Sequence, residues 1–204
     1  DDEKRSEIIS SIKNKLSGKP EIKVIVHSLA FGTLRPYIPK SNQQAITKAQ
    51  IEMTMDVMAH SLVYWTQDVY SNGLLAEESR IFAMTSSGSH TVIPSYGAVS
   101  AAKAALESHC RQLAMELGHT RTSVNAIMAG VTDTPALRKI PGNKEMIEIA
   151  KRKNPFGKLT DPKDIAKIVS LLCKDGGNWI SGSVIHADGG EDIVNYVGQN
   201  NSLI

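Results

Sequence analysis

RIFAMTSSGSHTVIPSYGAVSAAKAALESHCRQLAMELGHTRTSVNAIMA, residues 80–129, holds a complete strand–helix–strand unit. Arg80 to Ser86 is a strand-length apolar run whose exit, Ser86-Ser87-Gly88-Ser89, is small and polar. Tyr96 to Leu117 carries apolar residues at helical spacing, and Gly118 supplies its stop. Thr122 to Ala129 is again a strand. Two strands joined by a long helix pair in parallel, because the helix carries the chain back to the starting edge of the sheet.

The same alternation extends outward. Residues 3–16 place Ile8, Ile9, Ile12 and Leu16 on one face of a helix that Gly18 and Pro20 stop. Ile22 to Ser28 reads as a strand, and its consecutive Val24, Ile25 and Val26 predict burial on both faces. After a loop over 33–44, a long helix is expected over 45–71, ended by Asn72-Gly73. Past Ala129 the chain makes a long excursion, 130–158, with one weak helix near 143–152. Asp161-Pro162-Lys163-Asp164 opens a further helix to about Cys173, with Asp161 as cap and Pro162 at the first helical position. Ser183 to Ala187 is the last strand, followed by Asp188-Gly189-Gly190. The fold class is therefore α/β, a doubly wound parallel sheet covered by helices, in a single domain over 1–204. Such sheets bind ligands at the carboxyl ends of their strands. Those ends are His27 to Ala30, Thr85 to Ser87, Met128 to Thr134, and Asp188 to Gly190.

Composition narrows the function. Of 204 residues 41% are apolar and 22% charged, a globular balance that excludes wholesale disorder. Lys and Arg number 23 against 21 Asp and Glu, and the basic residues are scattered, so nothing marks a nucleic-acid surface. The apolar runs are too short for a membrane span, and the charged start, Asp1 to Arg5, resembles no signal peptide. Cys110 and Cys173 are the only cysteines and read as reduced thiols of a cytoplasmic protein. None of the six histidines stands at metal-ligand spacing, so no metal site is expected.

Tyr96 and Lys103 lie seven residues apart, about two helical turns, and so point off one face. An ammonium close to a phenol lowers its pKa and suits the pair to hydrogen-bond a developing oxyanion. The whole segment Ile93 to Glu107 resembles the active-site helix of the short-chain dehydrogenase/reductase superfamily. The Tyr-x6-Lys spacing, with Ser100 where the ordinary branch has its Lys, resembles the enoyl-acyl-carrier-protein reductase branch. Val26-His27-Ser28, Asn125 to Gly130, and Ile180 to Gly190 resemble the fourth-strand exit, sixth-strand exit and last strand of that branch.

The resemblance implies a Rossmann-like sheet and an NADH- or NADPH-dependent reduction of the 2,3-double bond of an enoyl thioester, carried on acyl carrier protein, in fatty-acid synthesis. Tyr96 would stabilise the enolate, and Lys103 would hold the nicotinamide ribose. Ser28, Leu29 and Ala30 would line the cofactor, and Gly130, Val131, Thr132 and Thr134 would grip its nicotinamide amide and phosphates. Two positions depart from the pattern. Ser86 stands where the best-known members of the branch carry a second Tyr, and is assigned to orienting the substrate carbonyl, as in ordinary short-chain reductases. Met58 stands where ketoreductases carry the Asn of a proton relay.

The resemblance also implies three preceding strands and a Gly-rich pyrophosphate loop, and residues 1–204 contain neither. The chain by itself is therefore expected to be a poor enzyme. Two other functions stay open: a short-chain oxidoreductase acting on a ketone or 3-oxoacyl group, and a non-catalytic remnant. The apolar helices 45–71 and 96–117 point to a homo-oligomer, by resemblance a tetramer. Residues 132–158, with Leu137, Ile140, Met146, Ile147 and Ile149, read as a mobile substrate lid.

Overall fold

The computed structural model describes residues 1–135, 137–140 and 142–195. Four strands form one sheet in the order β1 (Ile22–His27), β2 (Leu75–Thr85), β3 (Ser123–Ala129), β4 (Val184–Ala187), every pair parallel. The helices are α1 (Asp2–Lys15), α2 (Lys48–Met55), α3 (Ser61–Ser71), α4 (Gly97–Glu116), α5 (Asn143–Lys153) and α6 (Pro162–Leu172). The expected doubly wound α/β plan is what the chain adopts.

Side-chain alternation along β2 and β3 divides the core between the two faces. Ile81, Ala83, Val124 and Ala126 pack against Met58, Leu62, Val99, Ala102 and Leu106 of the α2–α4 layer. Phe82 and Ile127 point the other way and meet Leu172, Ile165 and Ile168 of α6. The small residues Ala98 and Ala102, both fully buried, let α4 lie close to the sheet. Asn125 is the polar exception on the α6 face. Its amide donates to the Ile180 carbonyl at 2.6 Å and accepts from Ser183 N–H at 3.0 Å, which fixes the approach to β4. A buried amide with both ends satisfied costs little and sets one register.

Helix α6 begins as its sequence dictates: Asp161 accepts from Lys163 N–H at 2.7 Å, and Asp164 reaches back to Asp161 N–H. Helix α1 is capped by Asp1 and held to α3 by Arg5–Asp68 at 2.5 Å.

Two expectations need correction. The helix over 45–71 is one continuous rod but not a uniform α-helix. Between α2 and α3, residues Asp56–His60 widen into a π turn, which shifts the side chains after it around the axis. Met58 and Ala59 are buried in that turn. Hydrophobic periodicity cannot show such a turn, because one added residue preserves an apolar stripe on either side.

Strand β1 is the second correction. It pairs only with β2 among the described residues, and Val24 and Val26 are 40% and 49% exposed on the face opposite α3. Its apolar run is thus covered on one face, by Ile25 and His27 packing toward the helices, and open on the other. By contrast, Phe82 on β2 is fully buried.

Leu106 lies at the centre of the α4–sheet contact with no exposed surface, whereas Leu171 on α6 is 60% exposed. Leu106→Ala is expected to cost about 2–5 kcal/mol, against about 0.5 kcal/mol or less for Leu171→Ala. Urea denaturation of the two variants checks the difference.

Candidate active site

The carboxyl ends of β1, β2 and β3 open into one cleft of about 470 Å³. Tyr96 sits at the N-cap of α4, so the helix start itself presents the phenol to this cleft. Ser86, one residue past β2, lies beside it, and Gly88 closes the turn. A Cβ at Gly88 would fall 2.6 Å from Tyr96 Cε1 and 3.2 Å from Ser86 Oγ, so the turn holds both side chains only because residue 88 has none. Opposite, Gly130 to Thr132 and Thr134 form the wall after β3. A Cβ at Gly130 would lie 2.5 Å from Thr160 Oγ1 and 2.8 Å from Glu191 Oε2. The rest of the lining is apolar, chiefly Phe31, Leu34, Met58, Ile93, Val99 and Met146.

Of the sequence-derived site residues, the structure brings Ser86, Tyr96, Ala30, Gly130, Val131, Thr132 and Thr134 to the cleft wall. Ser28 and Leu29 are exposed at the end of β1, outside the lining. Lys103 is buried beneath the cleft, 6% exposed, and donates to the Met84 carbonyl at 2.6 Å. Leu137, Ile140 and Met146 of the excursion reach the cleft, while Ile147 and Ile149 do not.

The electrostatics differ from the simple two-residue picture. Burial pushes the Tyr96 phenol above its ordinary value, and the nearby Ser86 hydroxyl only partly opposes it. Lys103 is not among the groups that move it. The reason is the Met84 carbonyl, which draws the ammonium toward the end of β2. Burial lowers Lys103 itself to about 8, against the pull of Glu107, which in turn accepts from Thr85 Oγ1 at 2.6 Å. Ser86 Oγ is buried without a hydrogen bond of ordinary geometry among the described residues. A buried, unpaired hydroxyl at a cleft wall is poised for a ligand atom.

The loop after β3 is tied down from within. Val131 N–H donates to Glu191 at 3.2 Å, Thr160 N–H donates to the Val131 carbonyl at 3.2 Å, and Thr132 Oγ1 donates to the Gly130 carbonyl at 2.9 Å. Thr134 Oγ1 accepts from Leu137 N–H at 3.2 Å, and its own proton has no acceptor among the described residues. Asn154 Nδ2 donates to the Asp188 carbonyl at 2.8 Å, joining the far end of the excursion to the turn after β4. Sequence reasoning missed Glu191, Asn154, Thr160 and Gly88, since each acts only through partners distant in the chain. It also missed the contact of His60 Nδ1 with His109 Nε2 at 3.0 Å, between the π turn and α4. Among the described residues no three His, Cys, Asp or Glu side chains converge as a metal site would need. No helix among them is long and apolar enough to cross a membrane.

A parallel sheet with a Tyr at a helix start, a buried Lys seven residues on and an apolar cleft at the strand ends defines a short-chain reductase site. The pattern of the family described as enoyl-(acyl carrier protein) reductase matches residues 1–191, and the chain belongs to that family, the enoyl reductase branch of the short-chain dehydrogenases/reductases. The NADH-dependent enoyl-[acyl-carrier-protein] reductase FabI of Aquifex aeolicus is 29% identical over 180 residues, 88% of this chain and 66% of its own length. Its crystal structure superposes with a TM-score of 0.84 over 96% of this chain and 74% of that one, at 28% identity. An NADPH-dependent aldehyde reductase of Arabidopsis thaliana chloroplasts is 39% identical over 111 residues, 54% of this chain and 40% of its own length. The chain thus spans about two thirds of the length of the bacterial relative it matches.

The buried ammonium gives a measurable signature. The folded value of about 8 lies below the ordinary 10.5, so the unfolded chain holds this proton more tightly. The burden on folding is about 3 kcal/mol at neutral pH and shrinks as pH rises from about 8 toward 10.5. Lys103→Met should therefore gain stability relative to the parent at pH 7, and that advantage should fall by about 2 kcal/mol by pH 9.5. Urea curves of the pair at both pH values test this; an advantage that does not change with pH would show that the ammonium is not buried.

Proposed function

We propose that the protein reduces the 2,3-double bond of an enoyl thioester carried on acyl carrier protein, with NADH or NADPH as reductant. The observation that carries this reading is Tyr96 at the mouth of an apolar cleft, with buried Lys103 seven residues along the same helix. The residues present suit a nicotinamide nucleoside. Lys103 has used one of its three donors, and the Thr134 hydroxyl proton has no acceptor among the described residues. When bound, the nicotinamide supplies the hydride to the β-carbon.

This chain's residues supply the rest. The phenol of Tyr96 is held protonated by burial, so it donates a hydrogen bond to the thioester carbonyl oxygen as negative charge collects there. Ser86, beside the phenol and without a hydrogen bond of ordinary geometry among the described residues, donates to or orients the same oxygen. The apolar walls exclude water and so strengthen each of these interactions. Met58 fills the place of a relay Asn, which fits a reaction that ends with protonation at carbon. The apolar side chains Leu137, Ile140 and Met146 suit an acyl chain, and residues 132–158 act as its lid. The same reading makes the protein a subunit of a cytoplasmic homotetramer.

Ser86 supports a second reading, reduction of a ketone or 3-oxoacyl group, because ordinary short-chain reductases use a strand-end Ser. A ketoreductase crystallised with NADP, LanV, superposes with a TM-score of 0.71 at 25% identity.

The two readings separate by substrate. The longest reading frame containing these 204 residues, and the chain itself in parallel, are offered NADH or NADPH with a 2-enoyl or a 3-oxoacyl thioester, following nicotinamide absorbance. Enoyl turnover is expected from that frame if it also encodes a Gly-rich pyrophosphate loop, and weak or absent turnover from the 204 residues alone. Tyr96→Phe should lower the kcat of the longer protein about 10²–10³-fold with little change in cofactor affinity. Preference for the 3-oxoacyl thioester would establish the second reading, and no turnover of either would leave a non-catalytic protein.

The lid predicts a separate result. Amide hydrogen exchange in α5 should be faster than in α4 in the free protein and slow on adding nucleotide and thioester together. Equal protection of the two helices without ligand would make the excursion a rigid part of the scaffold.

A further inference from the structure

His27, the last residue of β1, is 6% exposed and lies between the sheet and the α2–α4 layer. Its tautomer can be worked out from its partners. Ser61 Oγ donates its only proton to the Val57 carbonyl at 2.7 Å, inside the π turn. The contact of His27 Nε2 with Ser61 Oγ at 2.8 Å must then have the imidazole as donor. The proton is on Nε2, and Nδ1 carries a bare lone pair. That Nδ1 is buried and has no hydrogen-bond partner among the described residues. A buried acceptor left empty is costly, so it points to a donor it was built to meet.

The donor at hand is Lys103. His27 is the register partner of Ala83, and the Lys103 ammonium is bonded to the carbonyl of the next residue, Met84. Neighbouring strands are about 4.8 Å apart and successive residues about 3.3 Å, both side chains are buried, and the Lys103 charge acts on the ring, so the two lie near one another past the end of the β1–β2 ladder. The ammonium has three donors and one known acceptor; the imidazole has one acceptor and no donor to fill it. We propose that His27 is a positioning residue for Lys103, its Nδ1 lone pair linked to the ammonium through one buried water, with Ser61 and the π turn fixing the ring.

The surrounding charges agree. Burial first, and then the Lys103 charge, lower His27 to about 4 against a smaller opposing pull from its own backbone, so the ring is neutral and able to accept near pH 7. Glu107 is the charged group that acts on Lys103 from its other side, and it is anchored by Thr85. Lys103 is thus held among the Met84 carbonyl, Glu107 and His27, which keeps it charged in a buried place. Only the consequence for turnover rests on the function proposed above; the contact itself does not.

Nitrogen-15 NMR of the histidine-labelled protein tests the contact without any substrate. The expected spectrum shows His27 with its proton on Nε2 and a pyridine-type Nδ1 that does not titrate between pH 5 and 7. That Nδ1 signal should then move between pH 7 and 10, in step with loss of the Lys103 proton, and the movement should vanish in Lys103→Met. A proton on Nδ1, or an Nδ1 signal indifferent to Lys103, would overturn the proposal. Two variants separate positioning from mere space filling. His27→Gln keeps a donor for Ser61 but withdraws the acceptor, whereas His27→Asn places an amide oxygen where Nδ1 was. The Lys103 titration midpoint, read from its labelled ammonium, should fall by about one pH unit or more in the Gln variant and return toward the parent value in the Asn variant. An equal fall in both, or a fall in neither, would overturn it. Should the NMR result hold while no thioester is reduced, the contact stands and the functional reading fails.

Discussion

A lysine ammonium is buried under the carboxyl end of a parallel sheet, and much of the molecule is arranged around keeping it there. An unpaired charge in such a place is costly enough to expel itself or lose its proton. Lys103 avoids both because the end of β2 offers it the Met84 carbonyl and because Glu107, one turn along α4, balances its charge. The position of α4 follows. The helix must lie close enough to the sheet for the lysine to reach a strand carbonyl, and the alanines at 98 and 102 make that approach possible. Since Tyr96 begins the same helix, seating the lysine also sets the phenol at the cleft.

Stability and reactivity pull in opposite directions here. The core on both sheet faces is apolar and closely packed, from Leu62 and Leu106 on one side to Phe82 and Leu172 on the other. The strand ends, by contrast, hold a depressed lysine, a raised phenol, a neutral histidine and an unpaired serine hydroxyl. The buried ammonium and the unpaired hydroxyl burden folding near neutral pH, the phenol does so only in alkali and the imidazole only in acid, and together they make an environment ready for a polar ligand that the core could not accommodate. The π turn belongs to the same pattern. It is a local departure from ideal helix that buries Met58 and brings Ser61 to His27.

The wall of the cleft after β3 is built differently. It has no regular structure, yet Val131, Thr132, Thr134 and Thr160 are each tied by a hydrogen bond within the chain. Buried Asn154, Asp188 and Glu191 link this loop to the excursion and to the turn after β4. A loop held by polar side chains rather than by packing can exchange partners when a ligand arrives, because hydrogen bonds to the chain and to the ligand are of similar strength.

The sequence by itself determined the order of elements, the parallel sheet and the helix on which Tyr96 and Lys103 lie. These follow from local patterning: apolar runs of strand length, helical spacing, an Asp-Pro start to α6 and a glycine after α4. The family was legible too, in short motifs that each sit at a strand end. Tertiary structure decided the rest. That Lys103 turns to the Met84 carbonyl rather than to the phenol, that Gly88 makes room for Tyr96, and that Glu191 takes the Val131 N–H all depend on residues far apart in the chain. The open face of β1 and the tautomer of His27 were equally out of reach. Patterning reports which face of an element is apolar. It carries no information about which distant donor meets which acceptor, or about how deeply Tyr96, Lys103 and His27 are buried, and burial is what shifts all three.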